Sequence, residues 1–300
     1  MLSNKKLLTL NDVSEPPAQG GTWNAEGVVI LKDFIPENLM AAYEEVWRQE
    51  NADRPRGWKD PIPYMRHQEL RDILLHQPLC DAIQALIGEP PGLHLCLTGW
   101  LSTERDWHQD TYLNPPYVGD SYAAVWIALD TIHPDSGPFQ YVPGSQFWPT
   151  VMQEKVRALL PAEQNDHRWP KFSEQILTPI FEQMLADSDI KPVSYLPQRG
   201  DVLIWNGRLL HRGSAPNVAG MERRSLIAHY SGISSRPDMP SATKSDDGGY
   251  YFPLTVDLEQ FYGPEELCRS DGTAPAPAPA SLINKTAQWA RCRLRELLHR

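Results

Sequence analysis

A histidine and a carboxylate stand two residues apart in Trp107-His108-Gln109-Asp110, and a third candidate ligand, His211, follows about a hundred residues later. Two imidazoles and one carboxylate can cap one face of an octahedral Fe(II) and leave three positions open. A cosubstrate and O2 could take those positions, so the constellation points to an oxygenase. The His-x-Asp spacing alone is a common chance match, and a hydrogen-bonded histidine would explain His108 equally well. Its setting adds weight. On extended chain, residues i and i+2 face the same side and can share one ion. His211 stands just past a strand-like run, Val202 to Trp205, and the pair Arg223-Arg224 followed by Ser225 comes next.

Many short strands must position these residues. Gly27 to Leu31 is a β-branched run that reads as a buried strand. Tyr122 to Asp130 alternates Val125, Ile127 and Leu129 against Trp126 and Ala128, a period of two. His94 to Leu101, Pro138 to Val142, Val193 to Leu196, Asp201 to Trp205 and Ser225 to Tyr230 are further candidates, bounded by Gly, Pro, Asp or Asn. Helices are expected over Asp33 to Gln49, with Leu39, Met40, Tyr43, Val46 and Trp47 at helical spacing, and over Pro78 to Ile87, stopped by Gly88. Residues 50–68 read as a loop and 151–190 as a charged helical insertion. The pattern predicts a mainly β chain, an antiparallel barrel or sandwich braced by α-helices.

Composition is that of an ordinary globular protein of 300 residues, 41% hydrophobic and 22% charged. A net charge of −10 argues against nonspecific nucleic-acid binding, which needs clustered Lys and Arg. The four cysteines, Cys80, Cys96, Cys268 and Cys292, form no CxxC pair, so reduced structural thiols are expected. The short Leu7-Leu8-Thr9-Leu10 stretch does not suit a signal peptide, and no apolar run is long enough to span a bilayer, so a cytoplasmic protein without a membrane partner is expected. The domain reading is a polar leader at 1–22, a catalytic domain at 23–265, an Ala-Pro linker at 266–281 and a basic amphipathic helix at 282–300. That last helix could pack on its own domain or pair the chain into a homodimer.

Five segments together resemble one family. They are Gly27-Val28-Val29-Ile30-Leu31-Lys32-Asp33-Phe34, the His108-x-Asp110 segment, Gly137-Pro138-Phe139-Gln140-Tyr141-Val142-Pro143-Gly144-Ser145, Gly200-Asp201 through His211, and Pro216-Asn217 to Tyr230. The chain resembles the phytanoyl-CoA dioxygenase-like branch of the Fe(II)/2-oxoglutarate-dependent dioxygenases, which includes ectoine hydroxylases. The resemblance implies a double-stranded β-helix (jelly-roll, cupin-like) core with iron on His108, Asp110 and His211. It implies 2-oxoglutarate and O2 as cosubstrates, and an arginine after the last histidine as anchor for the distal carboxylate.

Arg223 matches that anchor, with Ser225 at the second place after it, but the spacing from His211 leaves Arg224 as a rival. A buried dicarboxylate calls for a fork-shaped, permanently charged donor, which either arginine supplies. Ser145 could donate to the cosubstrate, or only bond its own turn. Gln109, Trp126, Tyr112 and Arg66 are candidates for the substrate pocket, with Arg54, Arg56, Trp58, Lys59 and Tyr64 in a lid-like loop and Asp246 to Phe252 in a second. The other histidines read as structural or surface residues, His229 as a neighbour of the site. The expected activity is hydroxylation of a small polar metabolite with release of succinate and CO2. A cupin-type metal dioxygenase that makes no use of 2-oxoglutarate, and a non-catalytic binding protein with a vestigial site, are the rival readings.

Overall fold

The computed structural model describes residues 23–51, 57–58, 61–166, 169–246 and 248–256. The leader at 1–22, the linker at 266–281 and the basic helix at 282–300, with its suggested dimer contact, lie outside the described residues, as do Arg54, Arg56, Lys59 and Asp247 of the two lid candidates.

The strands are β1 (Val28–Leu31), β2 (Pro91–Gly99), β3 (Tyr122–Ala128), β4 (Phe139–Tyr141), β5 (Val193–Ser194), β6 (Val202–Asn206), β7 (His211–Gly213), β8 (Ser225–Gly232), β9 (Thr243–Lys244) and β10 (Tyr250–Tyr251). They form a seven-stranded sheet in the order β1-β6-β3-β8-β2-β10-β9 and a three-stranded sheet in the order β5-β4-β7. All pairings are antiparallel except β10 with β2. The helices are α1 (Trp23–Glu26), α2 (Glu37–Asn51), α3 (Gln68–Leu74), α4 (Gln77–Ile87), α5 (Gln153–Leu159) and α6 (Trp169–Ala186).

The large sheet is covered on both faces, which is why its central strands are so apolar. Every residue of β3 is buried. Ala123, Val125 and Ile127 pack outward with Val202, Ile204, Leu226 and Ala228 against Met40, Tyr43 and Trp47 of α2 and Leu79 and Ile83 of α4. Tyr122, Ala124, Trp126 and Ala128 face inward with Leu203 and Trp205, against Phe139 and Tyr141 of the small sheet. Each fully buried Val, Ile or Leu contributes about 1.5–3 kcal/mol. A third cluster, with Val156 of α5, Ile176, Leu177 and Phe181 of α6, and Trp107, Tyr112 and Leu210, covers the far side of the small sheet. The result is a jelly-roll core, two facing sheets between helical layers.

Local signals explain the ends of elements. The main-chain N–H of Leu39 and of Met40 donates to Pro36 O, setting the start of α2. Gly88 closes α4 at φ +83°, a left-handed position that favours glycine. Helix α3 and strands β7, β9 and β10 go beyond the sequence expectation, because elements of two, three or seven residues carry too little periodicity. Among the described residues, no helix is long and apolar enough to cross a membrane.

Candidate active site

Three pieces of chain meet between the sheets. The segment holding His108 runs antiparallel to β7, and the two backbones exchange bonds: His108 N–H to His211 O and His211 N–H to His108 O, each 3.0 Å. Asp110 N–H donates to Gly207 O at 2.8 Å, so the loop before β7 fixes the carboxylate. Position 207 needs glycine, since a Cβ there would lie 2.5 Å from Cδ1 of Tyr122. His211 therefore opens a strand of the small sheet rather than trailing β6.

The side chains converge. His108 Nε2 is 3.8 Å from Asp110 Oδ1, and His211 Nε2 is 3.6 Å from Asp110 Oδ2. Ligand atoms of the three lie within 4.8 Å of one another, and they are the only such metal-ligand group among the described residues. Metal–ligand bonds of about 2.1 Å place adjacent ligands of an octahedron about 3 Å apart, so a small inward movement would seat an ion. Both imidazoles are oriented for that task. Nδ1 of His108 lies 2.7 Å from Asp106 O, and Nδ1 of His211 lies 2.9 Å from Leu209 O. A carbonyl only accepts, so each Nδ1 carries the proton and each Nε2 keeps its lone pair for the metal.

Electrostatics agree. Burial, with Arg105 and His211 nearby, holds His108 well below the usual histidine range. Burial also lowers His211, against the pull of Asp110. Neutral imidazole is the ligating form. For Asp110, burial pushes upward, but His211, His229, Arg105 and the Trp205 indole outweigh it and leave the carboxyl below its usual value. Trp205 Nε1–H donates to Asp110 Oδ2 at 3.0 Å. Phe139 stacks on His211, with centroids 5.4 Å apart and planes at 24°.

A cavity, partly open to solvent, spreads from this triad and is walled by Leu97, Trp126, Phe139, Trp205 and Ile227. Arg223 lines it, and its whole side chain is buried. Nη1 of Arg223 donates to Gly137 O at 2.6 Å, and the guanidinium sits 5.7 Å from the Trp126 ring centroid. Gly137 takes φ +78°, and a Cβ there would come 2.5 Å from Ser214 O, so only glycine presents this carbonyl. Burial alone pushes the Arg223 pKa down to about 10, with no described carboxylate to offset it. Arg223 Nε and Trp126 Nε1 are buried with no hydrogen-bond partner among the described residues. A buried cation with an idle donor and a second idle donor beside it could together receive an anion.

Arg224 points the other way. It pairs with Asp130 at 2.7 Å and Glu44 at 3.4 Å and packs on Trp100 at 5.6 Å, on the helix-covered side of the large sheet. Ser225 is fully buried, opposite Ala128 of β3 and Gly99 of β2.

Four further sequence candidates, like Arg224 and Ser225, stand outside the cavity lining. The Ser145 hydroxyl donates to Val142 O at 2.7 Å and accepts from Leu210 N–H at 2.8 Å, so it pins the turn after β4 to the residue before His211. Gly144, just before it, has φ +78°, as the turn reading expects. Gln109 lies between the two ligands on extended chain and faces away from them, its amide donating to Arg208 O at 2.6 Å. Tyr112 belongs to the apolar cluster beneath α6, and Arg66 is exposed. Sequence reading missed Arg105, which lines the cavity and pairs with Glu174 at 2.6 Å, and it passed over His133-Pro134-Asp135, which repeats the His-x-Asp spacing. That second pair is 3.6 Å apart on an exposed turn.

Known proteins now place the chain. No curated protein sequence matches it. Among solved structures, the non-heme alpha ketoglutarate dependent epimerase SnoN from nogalamycin biosynthesis aligns at 14% identity, TM-score 0.54, over 78% of this chain and 94% of that one. EctD from S. alaskensis with bound Fe aligns at 14% identity, TM-score 0.53, over 79% and 81%. At such identities the likeness is one of fold, the same jelly roll. The family profile described as Phytanoyl-CoA dioxygenase (PhyH) matches residues 23–225, a span that runs from α1 through the triad to the start of β8. The protein belongs to the phytanoyl-CoA dioxygenase (PhyH) family.

Proposed function

We propose that the protein is a non-haem Fe(II)/2-oxoglutarate-dependent dioxygenase that hydroxylates a small metabolite. The observation that carries this reading is a buried guanidinium, Arg223, with no carboxylate partner among the described residues, in the same cavity as the His108, Asp110 and His211 triad. A structural zinc site needs no such arginine, and a cupin-type enzyme acting without 2-oxoglutarate would leave its charge unused.

In this reading His108, Asp110 and His211 hold Fe(II), with Trp205 orienting the carboxylate. Arg223, helped by the Trp126 indole N–H, holds the distal carboxylate of 2-oxoglutarate as a charge-assisted pair. Leu97, Phe139, Trp126, Trp205 and Ile227 keep water from the reacting atoms and give the substrate an apolar wall. Iron held there would supply the redox chemistry that links oxidative decarboxylation of 2-oxoglutarate by O2, to succinate and CO2, with oxidation of a substrate C–H bond. SnoN is an epimerase by its own description, so the outcome at the substrate carbon is the finer part of the proposal.

Aerobic incubation with Fe(II), 2-oxoglutarate and ascorbate across a metabolite panel tests it. Substrate-stimulated succinate, lost in Asp110→Ala, is expected. Oxidation of a substrate without succinate, unaffected by Arg223→Ala, would instead mark a cupin-type enzyme.

A further inference from the structure

Three residues that line the cavity each carry a buried polar atom without a partner among the described residues: Arg223 Nε, Trp126 Nε1 and His229 Nε2. The first two serve the distal carboxylate in the reading above. The third has no task yet. His229 sits on the inner face of β8, where alternation places it in line with Ile227, and Arg223 precedes the same strand. Its ring is 6.0 Å from Trp205 and its Nδ1 is 4.0 Å from Asp110 Oδ2, so it borders the triad.

A chain of hydrogen bonds fixes which nitrogen of His229 carries the proton. Asp238 holds Arg236 through two bonds of 3.0 and 2.9 Å. Arg236 Nη1 donates to Asn114 Oδ1 at 3.2 Å, which orients that amide. The Asn114 Nδ2 group then faces Asp110 O at 3.2 Å and the Tyr122 phenol. Accepting from Asn114, Tyr122 turns its single O–H toward His229 Nδ1, with which it is hydrogen-bonded. Nδ1 is therefore the acceptor, and the proton lies on Nε2. This is the opposite tautomer to His108 and His211, whose Nδ1 atoms donate to carbonyls. A protonated Nε2 cannot serve as a fourth metal ligand. It is a buried donor without a partner among the described residues, on a side chain that lines the cavity.

We propose that His229 Nε2–H hydrogen-bonds an oxygen of the metal-end carboxylate of 2-oxoglutarate, with Tyr122 as the positioning residue that sets its tautomer. The tautomer stands on the protein alone; the identity of the acceptor rests on the proposed function. A dicarboxylate held at Arg223 and extending toward the triad runs along the inner face of β8, and His229 lies at the triad end of that path. The acceptor there is an anionic oxygen beside Asp110, where a second donor would otherwise have no use.

Two measurements test this. Long-range proton–nitrogen NMR of histidine-labelled, metal-free protein reads the tautomers directly, with His229→Gln giving the assignment. His229 protonated on Nε2 and His108 and His211 protonated on Nδ1 is the expected result, with the His229 preference weakened in Tyr122→Phe. A proton on Nδ1 of His229 would overturn the proposal. In the second measurement, 2-oxoglutarate is titrated into Zn(II)-loaded protein. His229→Leu should bind about tenfold more weakly, and His229→Gln, which keeps a donor, should recover most of the loss. Equal affinity in wild type and His229→Leu overturns the assignment while leaving the proposed function intact. Failure of wild type to bind 2-oxoglutarate at all overturns both.

Discussion

Replacing Arg223 by methionine should make the protein more stable and less able to bind 2-oxoglutarate. Burial pushes the Arg223 guanidinium down to about 10. Against an ordinary arginine value of about 12.5, at about 1.4 kcal/mol per pH unit, the charge is disfavoured in the fold by about 3 kcal/mol. Arginine is protonated in both folded and unfolded chains near neutrality. The penalty is thus fully present at pH 7 and is relieved only as pH rises above 10. Methionine removes it but forfeits the bond to Gly137 O, worth about 1 kcal/mol, so the net gain is about 2 kcal/mol. At about 2 °C per kcal/mol for a chain of this size, the metal-free variant should melt about 4 °C above wild type. Ligand closes the gap. With Zn(II) and 2-oxoglutarate at a hundred times its Kd, wild type gains about 2.7 kcal/mol, or about 5 °C. A variant binding about a hundredfold more weakly gains about 0.4 kcal/mol, under about 1 °C. Thermal melts of both proteins, with and without the two ligands, give all four values. A ligand-free variant that melts below wild type, or one that keeps the full ligand-induced shift, would refute the reasoning.

Other residues separate binding from scaffolding. Arg224→Gln should leave 2-oxoglutarate affinity within about twofold in a calorimetric titration, because its partners Asp130 and Glu44 lie on the other face of the sheet. Ser145→Ala should lower stability by about 1–3 kcal/mol in urea unfolding, since it strands Leu210 N–H, with cosubstrate affinity unchanged. Trp205→Phe keeps the ring but removes the donor to Asp110 Oδ2, and metal affinity measured by chelator competition should fall about 10–100-fold.

How much of this was readable beforehand depends on the range of the interaction. The triad was visible because its residue types are rare and extended chain projects i and i+2 together. The central strands were visible because β3, β6 and β8 are long enough to show alternation. That same alternation could have separated the two arginines. Ile227 and His229 face inward and Leu226, Ala228 and Tyr230 outward, which carried back along the chain puts Arg223 inside and Arg224 outside. It could also have turned Gln109 away from the metal. Other features were beyond a one-dimensional reading. Ser145 answers to Leu210, 65 residues on, and the exposed His133–Asp135 pair differs from His108–Asp110 only in lacking a third ligand brought by another strand. The tautomer of His229 depends on Asn114, Tyr122 and Arg236, which have no common sequence signature.

The proposed function requires the triad and Arg223 to form a single receptor for a metal ion and 2-oxoglutarate. Anaerobic addition of Fe(II) and 2-oxoglutarate, followed by visible absorption, tests it most directly, since a cosubstrate chelated to Fe(II) through carboxylate and keto oxygens absorbs in the visible. A charge-transfer band is expected, saturating at one equivalent of iron, absent with either component alone and absent in Asp110→Ala. Iron that binds the protein tightly but yields no band when 2-oxoglutarate is added would contradict the claim.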